Sequence, residues 1–269
     1  MLVLSLIIFL CLGTVAGILA GLLGVGGGLV IVPMITYTFS FQGIVGEHTH
    51  HLALGTSLAT IMFTSVSSFM AHHRNNAVIW PIFRNIVLGI LLGTFFGSKL
   101  AAHLPTLWLK GFFVLFLLYA ATQMLLNIKP KASREIPGFV GNSVAGGIIG
   151  VVSSLVGIGG GTLSVPYMTW CNVPMHKAIG TSAAIGFPIA VAGALGYLIN
   201  GMGVEGRPDY TVGFIYLPAF FGIAAASVFT APYGARLAHR LPVTKLKKAF
   251  ACLLYCMAAQ MAYSLVKVL

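Results

Sequence analysis

An all-α, polytopic integral membrane protein made of two inverted structural repeats is the fold class this sequence predicts, on three observations. The 269-residue chain is 58% hydrophobic and only 7% charged, far below the roughly 25% charge that covers a water-facing surface. Its apolar runs recur at lengths near the ~20 residues that a helical span requires. And one phrase, GLLGVGGGLVIVP at 21–33, returns as SLVGIGGGTLSVP at 154–166.

The first apolar run covers 2–23. No positive charge precedes it, and the pattern recurs internally from Gly146, so a membrane segment is expected rather than a cleaved signal peptide. GVGGG at 24–28 breaks that run and Pro33 follows, which predicts a glycine-broken hairpin turning at 24–28. Spans are expected near 51–71, 78–101 and 106–126, completing a first repeat over 1–126. The polar, proline-containing stretch 127–137 reads as a cytoplasmic linker. The second repeat, 138–269, has its hairpin turning at 157–161 and spans near 176–199, 211–235 and 244–266.

The repeat is written in the residues themselves. Gly13, Gly17, Gly24, Gly26, Gly27, Gly28 and Pro33 reappear at one offset as Gly146, Gly150, Gly157, Gly159, Gly160, Gly161 and Pro166. HLALGTSLA (51–59) reappears as HKAIGTSAA (176–184), and GSKLAAHLP (97–105) as GARLAHRLP (234–242), with Gln123 and Gln260 beyond. Charge decides how the halves are oriented. If 1–45 crosses once, the basic residues divide 8 to 7 and favour neither side. If it is a hairpin, only Lys99, Lys110, Arg207 and Lys267 of the 15 basic residues face the side opposite the linker. That bias follows the positive-inside rule. It predicts inverted repeats, both termini outside, in a bacterial or archaeal cytoplasmic membrane. The net charge of +11 is spread over short loops, so it signals topology rather than a nucleic-acid stripe.

Non-helical backbone survives in a bilayer only where protein buries it or water reaches it. Spaced glycines such as Gly13 and Gly17 suit tight helix packing. Three consecutive glycines with a placed proline, twice, exceed that need and describe tips whose backbone groups can meet a ligand. GVGGGL and GIGGGT lack the last glycine of a dinucleotide fingerprint and the GK[ST] ending of a P-loop. The candidate substrate-binding residues are therefore Gly24, Gly26, Gly27, Gly28, Gly157, Gly159, Gly160 and Gly161. To these the repeated Gly-Thr-Ser adds Gly55, Thr56, Ser57, Gly180, Thr181 and Ser182. This element is expected in the first two turns of a helix, where unpaired N–H groups and neutral hydroxyls suit a small anion. The competing reading bonds those hydroxyls to their own helix. His51 and His176 sit at matched positions just before it. They are candidates for proton or anion assistance, although an interfacial loop histidine is the commoner case. The four cysteines show no metal or redox spacing, and neither a cofactor nor a catalytic or metal site is expected.

Paired GxGGG-x4-P segments, each followed by His-x-Ala-x-Gly-Thr-Ser, resemble the sulfite exporter TauE/SafE family of membrane permeases, over nearly the whole chain. The resemblance implies a transporter of small sulfur-containing anions such as sulfite or an organosulfonate, in either direction. The cluster HTHH at 48–51 departs from the family pattern. Broken segments in inverted repeats describe a secondary transporter working by alternating access. Export of a monoanion from a negative-inside cell gains about 2.3 kcal/mol per 100 mV without a coupling ion. Uptake requires symport, and Glu47, Glu135, Glu205 and Asp209, the only acids, fall in expected loops. That slightly favours export, with H+ or Na+ coupling still open. The partners expected are a small anionic substrate and membrane lipid. The alternatives are an anion channel and a carrier of another small anion such as a carboxylate. A membrane-embedded enzyme lacks any HExxH or paired intramembrane aspartates.

Overall fold

The computed structural model describes residues 2–24, 26–44, 46–126, 134–238 and 243–266. Residues 127–133 of the expected linker, with Lys129 and Lys131, lie outside them, as do Arg240 and Lys267. The described residues form an all-α membrane protein. In chain order the helices are α1 (Leu2–Leu23), α2 (Gly28–Phe41), α3 (Thr49–Arg74), α4 (Trp80–His103) and α5 (Thr106–Leu125). Then follow α6 (Phe139–Val156), α7 (Gly161–Trp170), α8 (Met175–Gly201), α9 (Leu217–Ala238) and α10 (Val243–Val266). Eight of these are long and apolar enough to cross a membrane. The exceptions are α2, with 14 residues, and α7, with 10. A rise of 1.5 Å per residue gives α7 a length of about 15 Å, half of a ~30 Å hydrocarbon layer. By length alone, α7 does not cross such a layer.

Two helices form the centre. In α3 and α8, 72% of the apolar window is buried, against 33–39% in α4, α5, α6, α9 and α10. Around this pair, α1 packs along α9, α4 along α6, and α5 along α10. Small residues make the first two seams. Gly89, Gly93 and Gly97 of α4 lie on Ser143, Gly147 and Val151 of α6, and Gly13, Gly17 and Gly21 of α1 on Ile223, Ser227 and Ala231 of α9. Each seam advances in the same chain direction on both helices, so its helices run parallel. Without side chains to separate them, the backbones approach closely, which is how helices associate when lipid offers no hydrophobic contrast. The central pair runs the other way. Gly55 faces Tyr197, Leu58 faces Gly193 and Ser65 faces Gly186, so α3 and α8 are antiparallel.

One expected span starts late. Residues 211–216 form a short antiparallel ribbon, β1 (Thr211–Val212) against β2 (Ile215–Tyr216), and α9 begins only at Leu217. Gly213, at φ 56°, makes the turn of the ribbon, and β-branched and aromatic neighbours favour extended backbone. Pro218 fits a first helical turn, where its missing N–H costs nothing, and so fixes the start of α9 there.

Candidate functional site

Each broken hairpin is closed by the same backbone device. Gly24 follows α1 at φ 65° and Gly157 follows α6 at φ 68°, while Gly27 and Gly160 precede α2 and α7 at φ 79° and 75°. All four take the left-handed region that side chains avoid. The tips then meet. A Cβ on Gly26 would stand 3.1 Å from the Cα of Gly159, and one on Gly28 would collide with the carbonyl oxygen of Gly157. Gly161 opens α7 as Gly28 opens α2. The helices continue through Pro33 and Pro166, whose missing N–H removes the helical donor for the Leu29 and Thr162 carbonyls. The N–H groups opening α2 and α7 precede the first intrahelical bond and carry the positive end of the helix dipole. Two such ends converge where the tips touch.

The Gly-Thr-Ser elements pack against these tips, but deeper in their helices than expected. α3 begins at Thr49 and α8 at Met175, so Gly55–Ser57 and Gly180–Ser182 occupy the second and third turns. Their N–H groups belong to the helical ladder, and the helix-end donors of the site are those of the glycine tips. The difference arises because residues 49–54 and 175–179 are already helical upstream of the Gly-Thr-Ser element. Gly55 and Gly180 leave room for the backbone of Phe214 and Ala77.

The hydroxyls themselves form a reciprocal set. Ser57 Oγ donates to the Gly157 carbonyl at 2.7 Å, and Ser182 Oγ to the Gly24 carbonyl at 3.1 Å. Thr56 Oγ1 accepts from the N–H of Tyr216 at 2.9 Å, next to the start of α9, and Thr181 Oγ1 from the N–H of Ile79 at 2.9 Å, next to the start of α4. All four side chains are 0% exposed. Each bond joins the part of the chain before the linker to the part after it. Ser182 has a further partner in Ser164 Oγ at 2.8 Å.

A second matched pair supports the helix ends. His72 Nε2 lies 3.0 Å from the Gly21 carbonyl near the end of α1, and Tyr197 OH donates at 3.0 Å to the Ser154 carbonyl near the end of α6. Carbonyls in the last turn of a helix lack intrahelical donors, and these side chains supply them. The other histidines separate. His51 is buried, with Nε2 at 3.1 Å from the Ala101 carbonyl and 3.2 Å from that of Leu104, which clamps the start of α3 to the end of α4. His176, its counterpart in sequence, is exposed at the start of α8. The two therefore occupy different surroundings, and neither bonds a glycine tip. His50 is wholly buried against the ring of Phe113, and His48 lies against Phe214.

Sequence reading passed over several residues. Ser153 and Thr162 flank the second tip and are 0% and 3% exposed, and neither hydroxyl has a hydrogen-bond partner. Isolated serines and threonines in apolar helices carry no periodic or motif signal. Lys110 lines an outer cleft of about 510 Å³ together with Thr49, Thr106 and Glu47. All four acidic residues fall outside the helices. Among the described residues no three His, Cys, Asp or Glu side chains are grouped to hold a metal ion.

Comparison with known proteins places this arrangement among transporters. The family "Sulfite exporter TauE/SafE" matches residues 9–261. A probable membrane transporter protein of Haemophilus influenzae is 39% identical over 257 residues, which cover 94% of this chain and 97% of that one. Probable membrane transporter proteins of Methanocaldococcus jannaschii and Bacillus subtilis are 26% and 27% identical, over 87% of this chain and 86% and 90% of their own. No solved structure matches significantly.

Proposed function

Because the chain belongs to the sulfite exporter TauE/SafE family, we propose that this membrane transporter carries a small sulfur-containing anion, such as sulfite or an organosulfonate, by alternating access. The observation that carries the proposal is the reciprocal set of four buried hydroxyl bonds, from Thr56, Ser57, Thr181 and Ser182, that ties each half to helix ends of the other. These groups and the described tip glycines are buried. A ligand reaches them only if one set of cross-bonds opens while the other holds. That is the behaviour of a carrier, since a channel needs a path continuous from side to side.

Inverted repeats belong to the same reading. A twofold axis in the membrane plane turns α3 onto α8 with its direction reversed, whereas an axis along the membrane normal leaves them parallel. The antiparallel packing of α3 and α8 supports the first. The matching of the α1–α9 seam with the α6–α4 seam supports a twofold relation between the halves, whichever way the axis runs. The halves are then 1–126 and 138–269, joined on the cytoplasmic side, with both termini outside.

The substrate is held in the region where the N-termini of α2 and α7 converge, next to the Gly-Thr-Ser elements. Neutral donors and helix dipoles bind a small anion without a fixed countercharge, so release needs no buried ion pair to break. Export of a monoanion runs down the membrane potential, gaining about 2.3 kcal/mol per 100 mV. No acid lies within a helix among the described residues, which supports uncoupled export over symport.

Counterflow of radiolabelled sulfite in proteoliposomes tests the reading, with unlabelled sulfite, thiosulfate, sulfoacetate, taurine, sulfate and acetate as competitors. Saturable exchange competed by one sulfur anion is the expected result. Exchange competed only by acetate would transfer the protein to carboxylates, and unsaturable flux would make it a channel.

A further inference from the structure

The two glycine tips match in backbone, but not in the side chains around them. Ser153 lies in the last turn of α6, and a Cβ on Gly160, the residue that caps α7, would stand 3.3 Å from its Oγ. Thr162 is the second residue of α7. Both are more than nine-tenths buried and neither hydroxyl has a hydrogen-bond partner. A buried hydroxyl without a partner is costly and rare in a folded protein. Here two of them stand at one helix N-terminus, whose opening N–H groups point the same way as the dipole. The offset that relates Gly146 to Gly13 pairs Ser153 with Ala20 and Thr162 with Leu29, which offer no donor.

We propose that the anion is bound off the pseudo-twofold axis, at the second tip alone, by the Ser153 and Thr162 hydroxyls with the Gly161 and Thr162 N–H groups. The ligand class is a small oxyanion: one oxygen takes the helix-end N–H groups and a neighbouring oxygen takes the hydroxyls. The first tip is then a dry counterpart. It contributes the close contact of Gly26 with Gly159 that seals the site, and its apolar Ala20 and Leu29 make no bond to the ligand. This inference rests on the transporter reading and narrows it to one lobe of the site.

The test is binding by isothermal titration to the purified full chain in detergent, with sulfite, thiosulfate, sulfoacetate, phosphate and acetate as separate probes. Wild type, Ser153→Ala, Thr162→Val, Thr162→Ser and Thr36→Val are compared, the last removing a buried hydroxyl from the first hairpin. Loss of a hydrogen bond to a charged group predicts a Kd raised about tenfold or more by Ser153→Ala and by Thr162→Val. Thr162→Ser, which keeps the hydroxyl, and Thr36→Val remain within about twofold. Wild-type binding of sulfite left unchanged by both Ser153→Ala and Thr162→Val overturns this site but leaves the sulfur-anion reading standing. Binding of acetate alone, weakened by both, upholds the site and overturns the sulfur-anion reading. No binding of any probe by wild type overturns both.

Discussion

At the scale of single residues, glycine and hydroxyl positions do different work. Gly27 and Gly160 hold φ angles near 79° and 75°, where a β-branched side chain is a genuine outlier. At Gly27 a Cβ would also come within 2.9 Å of the Ala16 carbonyl oxygen. Valine at either position is expected to abolish saturable sulfite exchange, while membrane-fraction immunoblots show the protein inserted at normal level. Normal flux in both variants would remove the tips from the mechanism. The glycines and prolines of the tips were legible in sequence because only backbone demands explain GVGGG and GIGGG inside apolar runs. The destinations of the hydroxyls were not. The partner of Ser57 lies 100 residues away and that of Ser182 lies 158 away, and no local pattern encodes such a pairing. Ser153 and Thr162 were missed for a related reason: their significance is the lack of a partner, which only a folded chain displays.

At the scale of elements, the membrane-crossing helices were legible because a bilayer allows few alternatives to a continuous apolar helix. Boundaries were less so. The polar residues 49–51 looked like loop, yet His50 and His51 are buried as helix, held by Phe113 and by the α4 carbonyls. The ribbon at 211–216 was hidden inside an apolar run whose hydropathy does not distinguish strand from helix. Seams depend on spacing that sequence does show. Gly93 lies on the backbone of Gly147, with no gap for a side chain. Gly93→Leu is expected to destabilise the protein by about 2 kcal/mol, the usual scale of overpacking, as a lowered midpoint of thermal unfolding in detergent. An unchanged midpoint would mean that α4 and α6 separate freely.

At the scale of the whole molecule, the motifs pointed to the family that the comparisons show, and the basic residues carry the proposed topology. Four of 15 on one side are the basis for proposing reversed halves. A single cysteine placed at Ile136, on a chain whose own four cysteines are replaced by serine, is expected to react with an impermeant maleimide only after the cells are opened. A cysteine at Tyr210 should react in intact cells. The opposite pattern would invert the topology, and with it the assignment of mouths. What no whole-chain pattern revealed is the asymmetry of the site, because matching glycines draw the eye to symmetry while the differing neighbours Ala20 and Ser153, or Leu29 and Thr162, read as ordinary drift.

The cap on Gly24 has a consequence for how the protein is made. Its donor, Ser182, emerges from the ribosome 158 residues later, on the order of ten to thirty seconds at ordinary elongation rates. If the first tip enters the membrane as it is made, its Gly24 carbonyl lacks this donor throughout that interval, a state that lipid does not tolerate well. A carbonyl in that position needs shelter from lipid, by protein or by water, until α8 arrives. The bond that closes the first tip is thus completed only when α8, the third helix from the C-terminal end of the described chain, has been made.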